Sequence, residues 1–463
     1  MGPASSSMEM LEKLGHEGLN VARLNFSHGT MEQHAQVIEN IRAINAKNNW
    51  QIAILGDLQG PKLRVGDIEN GAVELVEGQT LTITNEKIVG NNKRVYLSYP
   101  DFAKDVKPGE RVLMDDGKLS FTVLKSDGKN NVDVQVIYGG TLKPNKGVNL
   151  PNTKISQPSL TAKDKADLEF ILEQNLDWVA LSFVRSARDI IELRHLITQQ
   201  KKDTKIVAKI EKPEALKDID DIIKETDAVM VARGDLGVEI PMEEVPLVQK
   251  SLIEKSRIAA KPVIVATQMM ESMIENAMPT RAEVNDVANA VLDGADAVML
   301  SGETSVGKYP TLVVRSMRNI INEIENSEKL YHHETAPTDV SEARFISDSI
   351  CYNACRLAQR VNGKALVTMS FSGYTAFKLS SQRPKSPVFV FSGNKKLLTQ
   401  LSLVWGVKCI YYDKFVSTDH TIDDIKYLLR KEGYVNTGDF LVNIASMPIT
   451  ERGMSNMLKL TQV

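Results

Sequence analysis

Cysteine is scarce: Cys351, Cys355 and Cys409 are the full complement in 463 residues. The count is odd and the spacing is not that of a metal-ligand set, which excludes a disulfide framework and leads us to expect a reducing, cytoplasmic setting. Long apolar runs are missing as well. None reaches the ~18 residues a membrane span needs, so no membrane partner is expected. An excess of one charge is also lacking. Lys+Arg 56 against Asp+Glu 59 leaves −3, and no basic field invites nucleic acid. Neither internal repeats nor low-complexity segments occur. Gly2 with Ser6 loosely fits an acylation pattern, but Pro3 and the lack of a nearby polybasic patch make the match coincidental.

What is present is the balance of a globular protein, 42% hydrophobic and 25% charged, in a chain long enough for two or three domains. Apolar, β-rich runs recur at 19–26, 51–58, 177–184, 205–211, 228–234, 262–267 and 297–302. They are apolar on both faces, as parallel strands covered by helices are. Helix-periodic segments lie between them at 31–47, 162–175, 186–199, 213–224, 243–260, 280–293 and 309–326, and an eighth at 6–16 precedes the first strand. The alternation predicts an α/β fold, a (βα)8 barrel. Seven strands would leave an unpaired edge, so the expectation is a first strand upstream of Gly2, lost through a shortened chain or a misplaced start.

The stretch 64–157 differs in character. Short runs at 79–84, 93–98, 111–114, 120–125 and 132–138 alternate with turn signals such as Asp127-Gly128 and Gly139-Gly140. A small β-barrel domain inserted in a barrel loop is expected, because such loops tolerate insertion. Beyond about residue 330 the pattern restarts with a helix at 340–361, then strands at 364–369, 387–391, 407–411 and 439–444 separated by helices at 375–382, 395–403 and 421–432. The expected organisation is therefore 1–63, first part of the barrel; 64–157, inserted β-barrel domain; 158–332, second part of the barrel; and 333–463, a C-terminal α/β sheet domain.

Chemistry in a (βα)8 barrel sits at the C-terminal strand ends. Those ends carry Arg23, Asn25, Ser27, Asp57, Lys209, Glu211, Arg233, Asp235, Thr267, Ser301 and Glu303. Lys209 and Glu211, two apart on one strand, share a face and need partners if that face is inward. They could be a structural ion pair closing the barrel mouth. Alternatively, Glu211 with Asp235 supplies hard carboxylate oxygens for Mg²⁺. Lys209 and Arg23 then add positive charge for an anionic substrate, most simply a phosphate. Phosphoryl transfer needs this positioning and neutralisation, although by spacing alone an enolate-forming lyase fits nearly as well.

Five runs carry a resemblance. They are Asn20-Val21-Ala22-Arg23-Leu24-Asn25-Phe26-Ser27-His28-Gly29, Ile206-Val207-Ala208-Lys209-Ile210-Glu211-Lys212-Pro213-Glu214, Met230-Val231-Ala232-Arg233-Gly234-Asp235-Leu236-Gly237, Ala266-Thr267-Gln268-Met269-Met270-Glu271-Ser272 and Met299-Leu300-Ser301-Gly302-Glu303-Thr304. In that order they resemble the pyruvate kinase family, and the likeness extends from Gly2 into the C-terminal domain. The resemblance implies a glycolytic transfer of the phosphoryl group of phosphoenolpyruvate to ADP, giving pyruvate and ATP, by a homotetramer. It implies that Glu211 and Asp235 hold Mg²⁺ (or Mn²⁺), that Lys209 stabilises the moving phosphoryl group and that Arg23 grips it. Backbone N–H groups near Gly234 and Asp235, with Thr267, would receive the substrate carboxylate. Thr267 would also help protonate the enolate, with water, Ser301 and Glu303 as further candidates. Asn25, His28, Arg64 and Lys163 would face the nucleotide, under an inserted domain that closes as a lid. For Arg64 a solvated linker charge is the plain alternative, and for His28 a helix-start role.

Many members of the family hold K⁺ on residues matching Asn25, Ser27, Asp57 and the carbonyl of Leu58. They carry Thr-Lys and then Glu where this chain has Leu58-Gln59 and then Lys62. A Lys62 ammonium would supply that charge internally, so K⁺ is expected not to be required. In the C-terminal domain Ser370, Ser372, Gly373 and Thr375 lie where a strand gives way to a helix, a place that favours phosphate. The segment resembles the family's sugar-phosphate effector loop, although Ser and Gly before a helix are often only a cap. The stretch from Ala445-Ser446-Met447-Pro448 to Gly453-Met454-Ser455-Asn456 puts Ser446 for an expected glycine and Met454 for a threonine, leaving the effector's identity open. Two other readings stand beside the kinase: a Mg²⁺-dependent lyase on the same barrel, which needs neither lid nor Arg64 and Lys163, and a binding module whose barrel lacks a strand.

Overall fold

In a computed structural model, residues 1–414, 417–447 and 453–463 are described; Pro448 of the terminal stretch lies outside them. Seven parallel strands run in chain order across one curled sheet: Val21–Asn25, Ala53–Asp57, Trp178–Leu181, Lys205–Ile210, Ala228–Ala232, Val263–Ala266 and Ala297–Val298. Helices cover the outside. Several begin where the sequence offers a cap: Thr30 with Gln33 opens Met31–Asn48, and Thr280 with Glu283 opens Arg281–Asp293, which ends on Gly294 at φ +100°. The expected helix at 213–224 is broken in two at Asp218, whose carboxylate instead accepts the Ala187 N–H at the start of a neighbouring helix.

Period-2 alternation divides each strand between two cores. On Lys205–Ile210, Ile206, Ala208 and Ile210 face the helical layer, while Val207 packs inside the curl with Ala53, Leu55, Trp178, Ala180, Ala228, Met230, Ile264 and Ala266. Leu403 and Phe377 of the C-terminal domain join this inner cluster, and Trp178 Nε1 donates to the Gln400 carbonyl at 3.2 Å. The end of the sheet next to the C-terminal domain is thus apolar and plugged. Among the described residues the two outer strands, Val21–Asn25 and Ala297–Val298, are not paired with each other. Met1 lies between them, its nitrogen donating to the Arg23 carbonyl at 2.7 Å, and cavities of about 500 and 710 Å³ flank it.

The inserted residues form a six-stranded sheet in the order Val148–Asn149, Arg111–Met114, Leu119–Ser126, Asn131–Tyr138, Thr80–Thr84 and Arg94–Tyr96, antiparallel except for the last pair. Arg64 bridges to Gly147 and Val65 to Leu97, so these two residues link both edges. Its core is a cluster of apolar side chains, with Phe121, Leu81, Ile83, Val112 and Val134 fully buried. Gly139-Gly140 does more than turn the chain. Gly140 opens a short strand, Gly140–Leu142, paired with Val73–Leu75, and a Cβ on Gly139 would meet the Leu75 carbonyl at 2.2 Å.

The C-terminal domain is a five-stranded sheet ordered Val407–Tyr411, Val388–Ser392, Ala365–Met369, Phe440–Ala445 and Met457–Gln462. The last strand is antiparallel and was not anticipated. The expected helix at 340–361 begins only at Phe345, because Asp339 Oδ1 accepts the Ser341 N–H and hydroxyl in a local turn that competes with helix. No described helix is long and apolar enough to cross a membrane.

Candidate active site

Where Lys205–Ile210 reaches the open end of the sheet, its inward face changes from Val207 to Lys209 and then Glu211. Lys209 Nζ lies 3.0 Å from Glu211 Oε1 and 3.3 Å from Asp57 Oδ1, and donates to Ser182 Oγ at 2.7 Å. One strand further round, Arg23 Nε donates to Asp57 Oδ2 at 2.6 Å. Arg23, Asp57, Lys209 and Glu211 therefore form one chain of alternating charge from three strand ends, with all but Arg23 buried. Burial works against the Asp57 carboxylate, yet Lys209 and Arg23 outweigh it and hold its pKa below the ordinary 3.8. Burial likewise opposes the Lys209 charge, but Asp57 and Glu211 outweigh it and raise the ammonium pKa. Glu211 moves the other way: burial pushes its carboxyl up, Lys209 counters, and the negative charge of Asp235 adds to the rise.

That repulsion between Glu211 and Asp235 bears on metal binding. Among the described residues no three His, Cys, Asp or Glu gather as a dedicated cage. Two carboxylates destabilising one another suit Mg²⁺, which takes one or two carboxylates and fills its shell with water and substrate. The donor set fits.

Asp235 sits in the short helix Arg233–Glu239, and Lys62 Nζ stands 3.6 Å from its Oδ1. The carboxylate partner of Lys62 is thus Asp235, whereas Asp57, near which its charge was expected, is matched by Arg23 and Lys209. The Leu58 carbonyl accepts from Ser182 Oγ at 2.7 Å. Gly234 N–H donates to Thr267 Oγ1 at 2.7 Å, and that hydroxyl donates to the Ala266 carbonyl at 2.6 Å. Thr267 at φ +72°, Gln268 at +54° and Phe183 at +54° occupy left-handed backbone that such residues seldom adopt, strain concentrated at the mouth.

The remaining expected residues are more dispersed. Asn25 Oδ1 accepts the Ser27 N–H at 3.1 Å, and Arg23, Asn25 and His28 line the 710 Å³ cavity with Ser301. Lys163 Nζ donates to the Phe26 carbonyl at 2.7 Å and to Asp167 at 2.6 Å. The Arg64 guanidinium is tied back to its own domain, donating to the Asn145 carbonyl at 3.0 Å. Arg233 makes a double contact with Asp286, 2.7 Å on each oxygen, and donates to the Thr267 carbonyl at 2.8 Å. Glu303, buried, accepts the N–H groups of Ser301 and Met270 at 2.6 and 3.2 Å. In the C-terminal loop Gly373, at φ +82°, donates to Ser370 Oγ, while Thr375 Oγ1 is buried against Ser455 Oγ at 2.8 Å. Ser372 is exposed.

Two participants escaped the sequence reading. Ser182 joins Lys209 to Leu58, and the Phe183 N–H donates to Glu211 Oε2 at 2.7 Å. Both follow the strand Trp178–Leu181, so the strand-end rule that selected the others would have found them on that strand too.

The fold and these strand ends are those of a barrel enzyme, and the comparisons make its class a phosphotransferase. The family model for the pyruvate kinase barrel domain matches residues 1–314, and that for the pyruvate kinase alpha/beta domain matches 348–461. The chain is 43% identical over 458 residues to the pyruvate kinase of Corynebacterium glutamicum, covering 99% of this chain and 95% of that one. It is 41% identical to that of Mycobacterium tuberculosis, covering 100% and 97%, and 42% identical to that of Geobacillus stearothermophilus, covering 99% and 78%. A crystal structure of a Cryptosporidium parvum pyruvate kinase superposes with a TM-score of 0.93 at 36% identity, over 100% of this chain and 94% of that one. The chain belongs to the pyruvate kinase family. Its reaction is the glycolytic transfer of a phosphoryl group from phosphoenolpyruvate to ADP, giving pyruvate and ATP, in a family that generally uses Mg²⁺.

Proposed function

We propose that the reaction runs at the mouth of the parallel sheet, and the observation that carries this is the alternating chain Arg23–Asp57–Lys209–Glu211. Asp57 does not meet the substrate in this scheme. It holds the two cations apart and aimed, so that Arg23 and Lys209 arrive already oriented for a phosphoryl group whose charge spreads during transfer. Glu211 and Asp235 are the carboxylates that would hold Mg²⁺ (or Mn²⁺), which when bound neutralises phosphate charge. The Gly234 N–H, now satisfied by Thr267 Oγ1, would turn to the substrate carboxylate together with Asp235. The Thr267 hydroxyl, whose proton now goes to the Ala266 carbonyl, would rotate to offer it toward the enolate. Asn25, His28, Arg64 and Lys163 would face the nucleotide, Arg64 arriving with the inserted domain at 64–157 as it closes as a lid between barrel segments 1–63 and 158–332.

Catalysis without K⁺ is supported by two contacts. Lys62 already places a positive charge on Asp235, and the Leu58 carbonyl, a would-be K⁺ ligand with Asn25, Ser27 and Asp57, is occupied by Ser182. The test compares the parent with Lys62→Glu, each assayed with and without K⁺. The parent is expected to be indifferent. The variant should lose activity by about tenfold and regain it with K⁺. Strong K⁺ stimulation of the parent would overturn the reading.

A sugar phosphate at Ser370, Ser372, Gly373 and Thr375 in the C-terminal domain (333–463) is proposed on weaker support, because Ser370 and Thr375 are engaged within the protein. A homotetramer in the cytoplasm is proposed from the family; the exposed apolar side chains Met242, Leu247 and Met278 support self-association alone.

A further inference from the structure

Helix Arg233–Glu239 has two ends with different partners. Its first turn carries Gly234 and Asp235 at the mouth, and its last residue, Glu239, lies one turn on from Asp235 along the same face. Glu239 is buried, and its Oε1 accepts two donors. One is Lys212 Nζ at 2.5 Å, from the residue that follows Glu211. The other is Asn149 Nδ2 at 2.8 Å, from the edge strand Val148–Asn149 of the inserted domain. Asn149, Lys212, Lys62 and Asp235 line one narrow space of about 20 Å³, the room of a single water. Nearby, a Cβ at Gly117 in a turn of the inserted domain would lie 3.7 Å from Val238 of the same helix.

We propose that Asn149 is a positioning residue for phosphoryl transfer: its hydrogen bond to Glu239, balanced by Lys212, ties the seating of the inserted domain to the helix that carries Gly234 and Asp235. The inference rests on the reading of the barrel mouth as the transfer site. The chemistry favours a latch over a static strut. A buried carboxylate held by one lysine needs its remaining hydrogen bonds from somewhere. Seated, the inserted domain supplies one through Asn149; lifted, it admits water to the same oxygen. Either state satisfies Oε1, so the contact can be made and broken while the Lys212–Glu239 pair persists. Because Glu239 and Asp235 belong to one rigid turn of helix, seating the domain steadies the group nearest the substrate.

The test uses the full chain and the variants Asn149→Ala, Asn149→Gln, Glu239→Gln and the double Asn149→Ala/Glu239→Gln. Two readouts are taken: steady-state rates with phosphoenolpyruvate, ADP and Mg²⁺, and hydrogen exchange of segments 147–150 and 233–240. Asn149→Ala should lower kcat/KM by about tenfold, chiefly through kcat, as expected for one hydrogen bond to a charged acceptor. It should also speed exchange in both segments while leaving the melting temperature close to that of the parent. Asn149→Gln, which keeps a donor, should recover most of the loss, and the double variant should be no worse than the poorer single one. Rates within twofold of the parent in Asn149→Ala, or exchange that rises in 147–150 but not in 233–240, would overturn the proposal. The exchange readout needs no turnover, so failure of the latch and failure of the assigned transfer site are told apart.

Discussion

In the inserted domain, Arg64 and Val65 bridge both edges of the six-stranded sheet, and no charged side chain joins its hydrophobic core. The parallel sheet is the reverse on both counts. Its outer strands, Val21–Asn25 and Ala297–Val298, are unpaired with each other among the described residues, and its interior passes from Val207 and Met230 to a cage of buried charge. Burying Lys209, Glu211 and Asp57 forgoes the apolar packing that the inserted domain enjoys, and the strained backbone at Thr267 and Phe183 sits in the same place. Stability and chemistry are thus drawn from different halves of the cleft, one built to hold its shape and the other to hold charges where phosphate arrives.

Lys209→Met separates the halves most sharply. It should lower kcat by about a thousandfold or more, the scale of removing one preorganised electrostatic group, in an assay of ATP and pyruvate formation. A loss of less than tenfold would place the chemistry elsewhere. In the inserted domain, Phe121→Ala should remove about 3–5 kcal/mol of that domain's stability, read by thermal or urea unfolding. Assayed well below its melting temperature it should keep near-parent kcat, and a loss as large as that of Lys209→Met would erase the distinction drawn above. Asp57→Asn probes the mouth as structure. It leaves two cations beside a neutral group and should cost about 3 kcal/mol at neutral pH. The native Asp57 pKa lies below its ordinary 3.8, so its contribution is complete above that value and fades as pH falls through the lower, folded value. Urea melts from pH 7 to pH 3 should therefore show parent and variant converging at the acid end.

Much of this was legible beforehand. The strand positions, the inserted domain and the co-facial Lys209 and Glu211 follow from period-2 and period-3.6 patterning, which local sequence carries. Asp57 was marked by its place at a strand end, but its role between Arg23 and Lys209 required knowing which strands are neighbours. Lys62 was identified without a partner: the residue follows Asp57 closely in sequence, and beyond a bend at Gly60, φ +68°, its ammonium stands by Asp235. Asn149 and Glu239 gave no local signal at all. They are 90 residues apart, and each is unremarkable until the two domains meet.

Arg64 and Val65 stand where the chain leaves the barrel, and they are also staves of the inserted domain's own wall. That domain cannot lift by peeling its first residues away, since doing so would open its sheet at both edges. Bending is left to short straps. On the outgoing side these are Pro61 and Lys62, because the Gly60 N–H is pinned to Asp164 Oδ1 at 3.0 Å and the Leu63 carbonyl accepts the Val148 N–H of the inserted domain at 3.0 Å. On the return side the Ile155 carbonyl is held by Arg185 at 2.7 Å. Were the domain to open as proposed, it would swing as a rigid cup, and Lys62, riding on the outgoing strap, would leave Asp235.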